Sequence, residues 1–543
     1  MSETEGVLEG HGGDLAVAVL AQHGVDTMFT VSGGHVFPLY DAAHKTGMRI
    51  VGTRHEQTAV FAADGLAKLT GKPALAVLTA GPGVTNGVSG VTTALFNASP
   101  VVVLGGRAPQ WRWGAGSLQE FDHVPVMAPI TKHAATVTST EAIPGDVRDA
   151  LVAALSPHRG PVFLDLPMEV VYSRAEVKLA GAFVPDPVEA DPDEVARAGR
   201  LIARAQRPVV IAGSDVYGGG AAEALVAFAE AIQVPVFANG QGRGCIPADH
   251  ELAFSRSRRT ALKGADVVAV IGTPLDFRLG FGDFGGADVV HVVDAPSQRA
   301  THVTPAAAPA GDLRAILTAF AEHAGERAPH EAWISQLRHQ ENADRAAERS
   351  ALEADTDPIK PSRIYGELRQ VLDRDAVVIG DGGDFVSYAG KYLDSYTPGC
   401  WLDPGPFGCL GTGPGYAIAA RLARPSAQVC LLLGDGAAGF SLADAETLAR
   451  ENLPVVMVAG NNGIWGLEKH PMKLLYGYDV AADLQPALKY DDVVTALGGA
   501  GETVTDPAGI RPALDRAFAA GVPYLVNVLT DPADAYPRSS NLA

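Results

Sequence analysis

The sequence predicts an α/β protein built of three doubly wound domains, each a parallel sheet covered by helices on both faces. Three observations carry this. Short β-branched runs ending in Gly or Asp recur along the chain. They are continuously apolar rather than alternating, which marks strands buried on both faces. Two stretches without such runs divide the chain into parts of similar size. A length of 543 residues allows three or four domains of ~150 residues. With 47% hydrophobic residues the chain can fill large cores, and its 61 glycines are too many for a helical bundle.

In chain order, the first part (1–182) carries the strand-like runs DTMFTVSGG, PALAVLTAGPG, PVVVLGG and GPVFLDLP. Residues 183–195, FVPDPVEADPDEV, are Pro- and acid-rich and read as a linker. The second part (196–322) has PVVIAGSD, VPVFANG, ADVVAVIG and DVVHVVDA. Residues 323–362 are highly charged and read as a linker, a helix over HEAWISQLRHQENADRAAERSAL followed by the turn-rich DTDPIKP. The third part (363–543) has AVVIGDGG, QVCLLLGDG, PVVMVAGNN and PYLVNVLTD. The tail DPADAYPRSSNLA has no strand or helix pattern. It reads either as a frayed terminus or as a segment that orders over a site as a lid.

The net charge of −20 argues against nucleic acid or an anionic membrane as partner. The four cysteines (Cys245, Cys400, Cys409, Cys430) show no metal-binding or CxxC spacing, which fits a reducing compartment. The N-terminal MSETEGVLEGHGGD is acidic and polar, unlike a signal peptide, and no apolar run approaches the ~18 residues that span a bilayer. A cytoplasmic location is expected.

The densest chemistry lies in the third part. Asp435 follows the apolar run QVCLLLG, and Asn462 follows PVVMVAGN 27 positions later, with the helical SLADAETLARENL between them. This is a βαβ unit whose two polar residues leave the carboxyl ends of its strands, where open parallel sheets bind ligands. A carboxylate and an amide oxygen suit a hard cation such as Mg²⁺, which often carries a diphosphate. Gly434 and Gly436 let backbone approach a phosphate closely. The stretch resembles the thiamine-diphosphate motif of the acetolactate synthase and 2-hydroxyacyl-CoA lyase superfamily, and the likeness extends over essentially the whole chain.

The resemblance implies pyrimidine-binding, central and diphosphate-binding domains, in that order. It implies Mg²⁺ held by Asp435, the Asn462 side chain and the Ile464 carbonyl. Around the diphosphate it implies Gly434, Gly436, Ala437, Ala438, Asp384, Phe385 and Trp465. GPFGCLGTGPGYAIAA (405–420) matches the family's Gly-rich segment, with Leu410 as the apolar wedge beneath the thiamine. The run GDGGDFVSY (380–388) holds a second GDG, but position 408, 27 residues beyond Asp381, is Gly, so it is not read as the metal site.

Glu56, in RHEQ at a helix start, is an ordinary first-turn glutamate by position. The resemblance makes it the glutamate that hydrogen-bonds the aminopyrimidine and promotes the imino tautomer. Pro82 and Asn86, in TAGPGVTNGVSG, fall against the pyrimidine side. Gln119, in GSLQEFDHVP, matches the active-site glutamine of the family's FQE segment, with Leu118 in place of Phe. His35 and Glu468 are further candidates for the substrate side. In the lyase group the resemblance implies ADP or the CoA adenylate in the central domain, with Gly213 and Asp294 facing it and Arg256, Arg258, Arg259 and Arg278 as candidates for phosphate contacts; the sequence leaves ADP, flavin or nothing open there.

Within the superfamily the motifs favour a lyase that cleaves a 2-hydroxyacyl-CoA to formyl-CoA and an aldehyde or ketone. NNGIW resembles the corresponding segment of those lyases and of oxalyl-CoA decarboxylases. Pro471 stands where acetolactate synthases carry a tryptophan. The alternative is an acetolactate synthase that condenses 2-oxo acids after decarboxylation. A non-catalytic homologue is a minor alternative, disfavoured by intact Glu56, Asp435 and Asn462. The expected partners are a CoA thioester and a second copy of the chain, as a dimer or a dimer of dimers.

Overall fold

A computed structural model describes residues 6–534 and 536. It contains three parallel sheets, so the chain is α/β with three doubly wound domains. The first sheet runs in the order Arg49–Gly52, Thr27–Thr30, Ala74–Leu78, Val101–Arg107, Val162–Pro167, His133–Thr136. The third runs Trp401–Leu402, Val377–Asp381, Val429–Gly434, Val456–Asn461, Tyr524–Leu529, Ala500–Val504. Numbered within each domain, both follow the order 2-1-3-4-6-5. The middle sheet differs: Ala253–Phe254, Val236–Ala238, Pro208–Ala212, Val267–Ile271, Asp288–Val292. An antiparallel pair, Val7–His11 with Arg174–Lys178, closes the first domain.

Central strands such as Ala74–Leu78, Val101–Arg107 and Val267–Ile271 are buried at every position. Their continuous apolar runs therefore reflect helices on both faces, as parallel sheets require. The first and third domains share one core. Helix Glu56–Thr70 packs along helix Gly413–Ala423 at close range. A Cβ on Gly415 would lie 2.7 Å from Phe61 Cβ and 3.0 Å from the Ala62 amide nitrogen. The buried Asp64 carboxylate accepts a hydrogen bond from the Tyr416 hydroxyl across the seam (2.5 Å) and one from the Asn97 amide of its own domain (3.0 Å).

The charged segment expected as a linker with a helix over HEAWISQLRHQENADRAAERSAL does hold a helix, Glu331–Leu352, and that helix is docked on the central domain. Trp333 and Leu337 pack into the central core, and the Trp333 indole donates to the Pro208 carbonyl at 3.0 Å. Glu341 is fully buried and accepts from the amides of Ser255 (3.1 Å) and Ser257 (2.9 Å). The tail expected either to fray or to form a lid lies mostly outside the described residues. Among the described residues no helix is long and apolar enough to cross a membrane.

Candidate active site

In an open α/β sheet, ligands bind where strand order reverses, outside the carboxyl ends. In the third domain that point lies between Val377–Asp381 and Val429–Gly434, and a cavity of 680 Å³ opens there. Asp384, Phe385, Leu410, Gly434, Asp435, Gly436, Ala437, Asn462, Ile464, Trp465 and Glu468 all line it. Ala438 is buried just behind.

Asp435 begins the helix that follows its strand. Its carboxylate accepts from the Gly463 amide (2.6 Å) and the Gly436 amide (2.9 Å), so it is bonded to the turn after the neighbouring strand. Burial raises its pKa to about 6 despite these hydrogen bonds. Asn462 Oδ1 accepts from the Ile464 amide at 3.2 Å. A buried carboxylate held only by amides, beside an amide oxygen, is an incompletely compensated charge. A hard divalent cation would compensate it, so the donor set fits Mg²⁺.

Packing explains several glycines and small residues. A Cβ on Gly436 would lie 2.5 Å from the Trp465 ring, so this glycine is required by the indole as well as available to a phosphate. A Cβ on Gly460 would overlap the Phe385 ring at 1.4 Å, so the strand carrying the NN motif must pass that ring bare. Asp381, in the second GDG run, has a role that sequence reasoning did not find. It is fully buried and accepts from the amides of Gly411 (3.0 Å) and Gly413 (2.8 Å), clamping the segment that presents Leu410. Burial raises its pKa to about 6.

In the first domain, Glu56 opens helix Glu56–Thr70 and accepts from the Asn86 side-chain amide at 3.0 Å. Asn86 closes the short helix Pro82–Asn86, whose Pro82 is exposed. Glu56 is absent from the described lining of the third-domain cavity. Its neighbour Gln57 reaches that domain, donating to the Leu410 carbonyl at 3.4 Å. Gln119 sits at φ = 58°, an uncommon region for a non-glycine residue, with its backbone against Gly81. Leu118 beside it is 78% exposed. His35 is buried, its Nδ1 3.2 Å from the Thr79 hydroxyl, and burial lowers its pKa. Glu468 is exposed on helix Gly466–Tyr476, which also contains Pro471.

In the central domain the strand order reverses between Pro208–Ala212 and Val267–Ile271, and a second cavity of 460 Å³ lies there. Gly213 is pinned at the reversal; a Cβ would lie 2.3 Å from the Gly272 carbonyl oxygen. Asp294 does not line this cavity but faces His158 of the first domain, both carboxylate oxygens 2.9 Å from Nδ1. Of the four arginines expected to meet phosphate, Arg256 is held by Glu348 and Asp394, and Arg278 by Asp276. Arg258 donates to the Asn239 side chain at 2.9 Å, and Arg259 is exposed. Sequence reasoning also missed Asp215 and Gln241, which line the crevice. The Asp215 pKa is raised to about 7, chiefly by burial, and the buried Gln241 has no partner for Nε2.

Models of the thiamine pyrophosphate enzymes match the chain three times: the N-terminal TPP binding domain over residues 10–126, the central domain over 195–320 and the C-terminal TPP binding domain over 381–528. A "Probable acetolactate synthase" of Mycobacterium bovis is 53% identical over 538 residues, covering 98% of each chain. An "Acetolactate synthase large subunit" of Mycobacterium tuberculosis is equally similar. A "2-hydroxyacyl-CoA lyase 2" of Danio rerio is 34% identical over 536 residues, covering 90% of this chain and 86% of the relative. These figures overturn the expectation of a 2-hydroxyacyl-CoA lyase, and with it the CoA thioester partner. The relatives with that name are far more distant than those named acetolactate synthase. Pro471, Leu118 and the NNGIW segment, read as lyase features, do not outweigh identity over nearly the whole chain. With matches at three successive domains and 53% identity along its length, the chain belongs to the thiamine pyrophosphate enzymes.

Proposed function

We propose that the protein is a synthase of the acetolactate type, which decarboxylates one 2-oxo acid and joins the remaining acyl unit to a second. The observation that carries this reading is 53% identity, over 98% of both chains, to relatives named acetolactate synthase. The donor set at the strand ends supports the cofactor chemistry. Asp435, Asn462 Oδ1 and the Ile464 carbonyl would hold Mg²⁺, and Gly434 to Ala438 the diphosphate. Bound thiamine diphosphate supplies a nucleophilic carbon for the oxo group and a sink for the electrons left by CO₂.

The chain's own residues supply position and proton control. Asn86 fixes the Glu56 carboxylate at 3.0 Å, which suits a group that must hold the aminopyrimidine in one tautomer. Leu410, on the segment that Asp381 clamps through the Gly411 and Gly413 amides, would be the apolar support beneath the thiamine. Gln119 is an amide donor for the substrate carbonyl, while His35 and Glu468 are polar groups for the substrate side. The minimal active unit is a dimer in which a second copy completes the site. The central crevice, with unpartnered Gln241 Nε2, suits an adenine nucleotide such as ADP.

The test is to supply pyruvate, alone and with a second 2-oxo acid, to protein reconstituted with thiamine diphosphate and Mg²⁺, and to follow CO₂ and acetolactate by mass spectrometry. Stoichiometric release of both is expected. Turnover of pyruvate without a condensed product, or none at all, overturns the reading.

A further inference from the structure

Behind the catalytic face of the first domain lies a buried chain of polar groups. His123 is fully buried. Its Nδ1 lies 3.0 Å from Asp165 Oδ1, and its Nε2 lies 2.9 Å from the Gly81 amide nitrogen. The Gly81 N–H can only donate, so Nε2 must be the accepting, unprotonated nitrogen. The ring proton is therefore on Nδ1 and is donated to Asp165. Asp165 is also fully buried and takes Arg107 Nη1 at 2.5 Å on its other oxygen. Arg107 in turn bonds Asp122 at 3.1 Å and stacks 3.9 Å above the Trp113 ring. The imidazole is thus locked in one tautomer and one orientation from behind.

What it grips bears on the cofactor. Gly81 has φ = 59° and caps the short helix Pro82–Asn86, whose last residue donates to Glu56 at 3.0 Å. A Cβ on Gly81 would lie 2.9 Å from Gln119 Cβ and 3.1 Å from its carbonyl oxygen, so the same turn also backs Gln119. Displacing the Gly81 amide would shift both candidates at once.

We propose that His123 is a positioning residue: through the Gly81 amide it sets the Pro82–Asn86 helix, and with it the Asn86–Glu56 contact on which cofactor activation depends. Asp165 and Arg107 hold the imidazole in the accepting tautomer. The inference rests on the thiamine diphosphate assignment and not on which 2-oxo acids react.

Two polar replacements separate reach from polarity. In His123→Asn the amide occupies the Nδ1 position and keeps Asp165, but stops short of Gly81. In His123→Gln one amide atom reaches the Nε2 position and accepts from Gly81. The first readout is amide hydrogen exchange over residues 79–86 in cofactor-free protein. The second is exchange of the thiazolium C2 proton in the holoenzyme, with no substrate present. An unsatisfied buried amide predicts exchange over 79–86 about tenfold or more faster in His123→Asn, with protection elsewhere unchanged. C2 exchange should fall by about tenfold in the same variant, in line with loss of general acid–base assistance. His123→Gln should restore both. If the two variants behave alike, if His123→Asn leaves C2 exchange at the wild-type rate, or if it loosens the whole domain, the proposal is overturned. Because C2 exchange needs no substrate, this result stands apart from whether acetolactate is formed.

Discussion

If Asp435 holds the cation as proposed, a single carboxylate ties metal affinity to pH. Burial raises its pKa to about 6, and amide hydrogen bonds oppose the shift only in part. A cation binds the ionised form, so each Mg²⁺ captured below this pKa must first displace a proton. Affinity for Mg²⁺ with thiamine diphosphate should therefore be flat above pH 7 and fall by up to tenfold per unit below about 6. Calorimetric titration from pH 5 to 8 checks this, and Asp435→Asn should abolish the slope while binding weakly throughout. An affinity independent of pH would mean that the cation does not contact this carboxylate. Asp435 and Asn462 were legible in the sequence because each directly follows an apolar strand, which fixes which end of the sheet it leaves. Asp381 ends a strand in the same way, yet its side chain turns inward to two amides. Nothing in GDGGD distinguishes an inward aspartate from an outward one. His123, Asp165 and Arg107 were invisible for a related reason: they come from three separated segments, and only tertiary packing joins them.

At the scale of elements, the critical contact is the seam between helices Glu56–Thr70 and Gly413–Ala423. Their approach depends on small residues: Gly65 faces Tyr416 and Ala419, and Gly415 faces Phe61 and the backbone of Thr58 and Ala62. Backbone atoms cannot rotate away, so Gly415→Val must separate the helices. Overpacking of this kind costs about 1–3 kcal/mol. A lower denaturation midpoint is expected, together with a large loss of turnover, because Glu56 begins one helix and Leu410 precedes the other. Binding of Mg²⁺ should persist, since Asp435 and Asn462 lie on other elements. A wild-type midpoint with full turnover would show that the seam tolerates separation. The helices themselves were foreseeable, as continuous apolar strands demand cover on both faces. Their pairing across domains was not, because a stripe of Gly and Ala serves a helix–strand contact equally well. In the charged segment 323–362 the helix was legible but its docking was not. Its helix is polar on most of its surface, and the few apolar positions that dock it, Trp333 and Leu337 among them, are too sparse to announce burial.

At the scale of the molecule, the central and third domains are joined through the docked helix by an ion network. Arg256 of the central domain binds Glu348 of the docked helix and Asp394 of the third domain, the latter at 2.7 Å. Arg345 of the helix binds the same Asp394 at 2.9 Å and the buried Glu341. Asp394 is therefore the shared anion of two guanidinium groups. Although burial opposes it, the Arg345 and Arg256 contacts hold its pKa down to about 2. A depressed carboxylate contributes stability that is complete above its unfolded pKa near 4 and disappears as pH falls through about 2. Removing the carboxylate leaves Arg256 with Glu348 and Arg345 with Glu341 as their remaining anions, so the cost should fall short of the about 3–5 kcal/mol for stranding a buried charge. Asp394→Ala should accordingly release the central domain at neutral pH, seen as a separate early unfolding transition and as protease cleavage near residues 353–360. Its stability should also lose part of the wild-type dependence on pH between 4 and 2. Asp394→Asn retains shape and two hydrogen bonds and should fall between the two. If Asp394→Ala unfolds in one transition at the wild-type midpoint, the domains are joined by apolar packing of the docked helix, and the ion network is a consequence of that packing rather than its support.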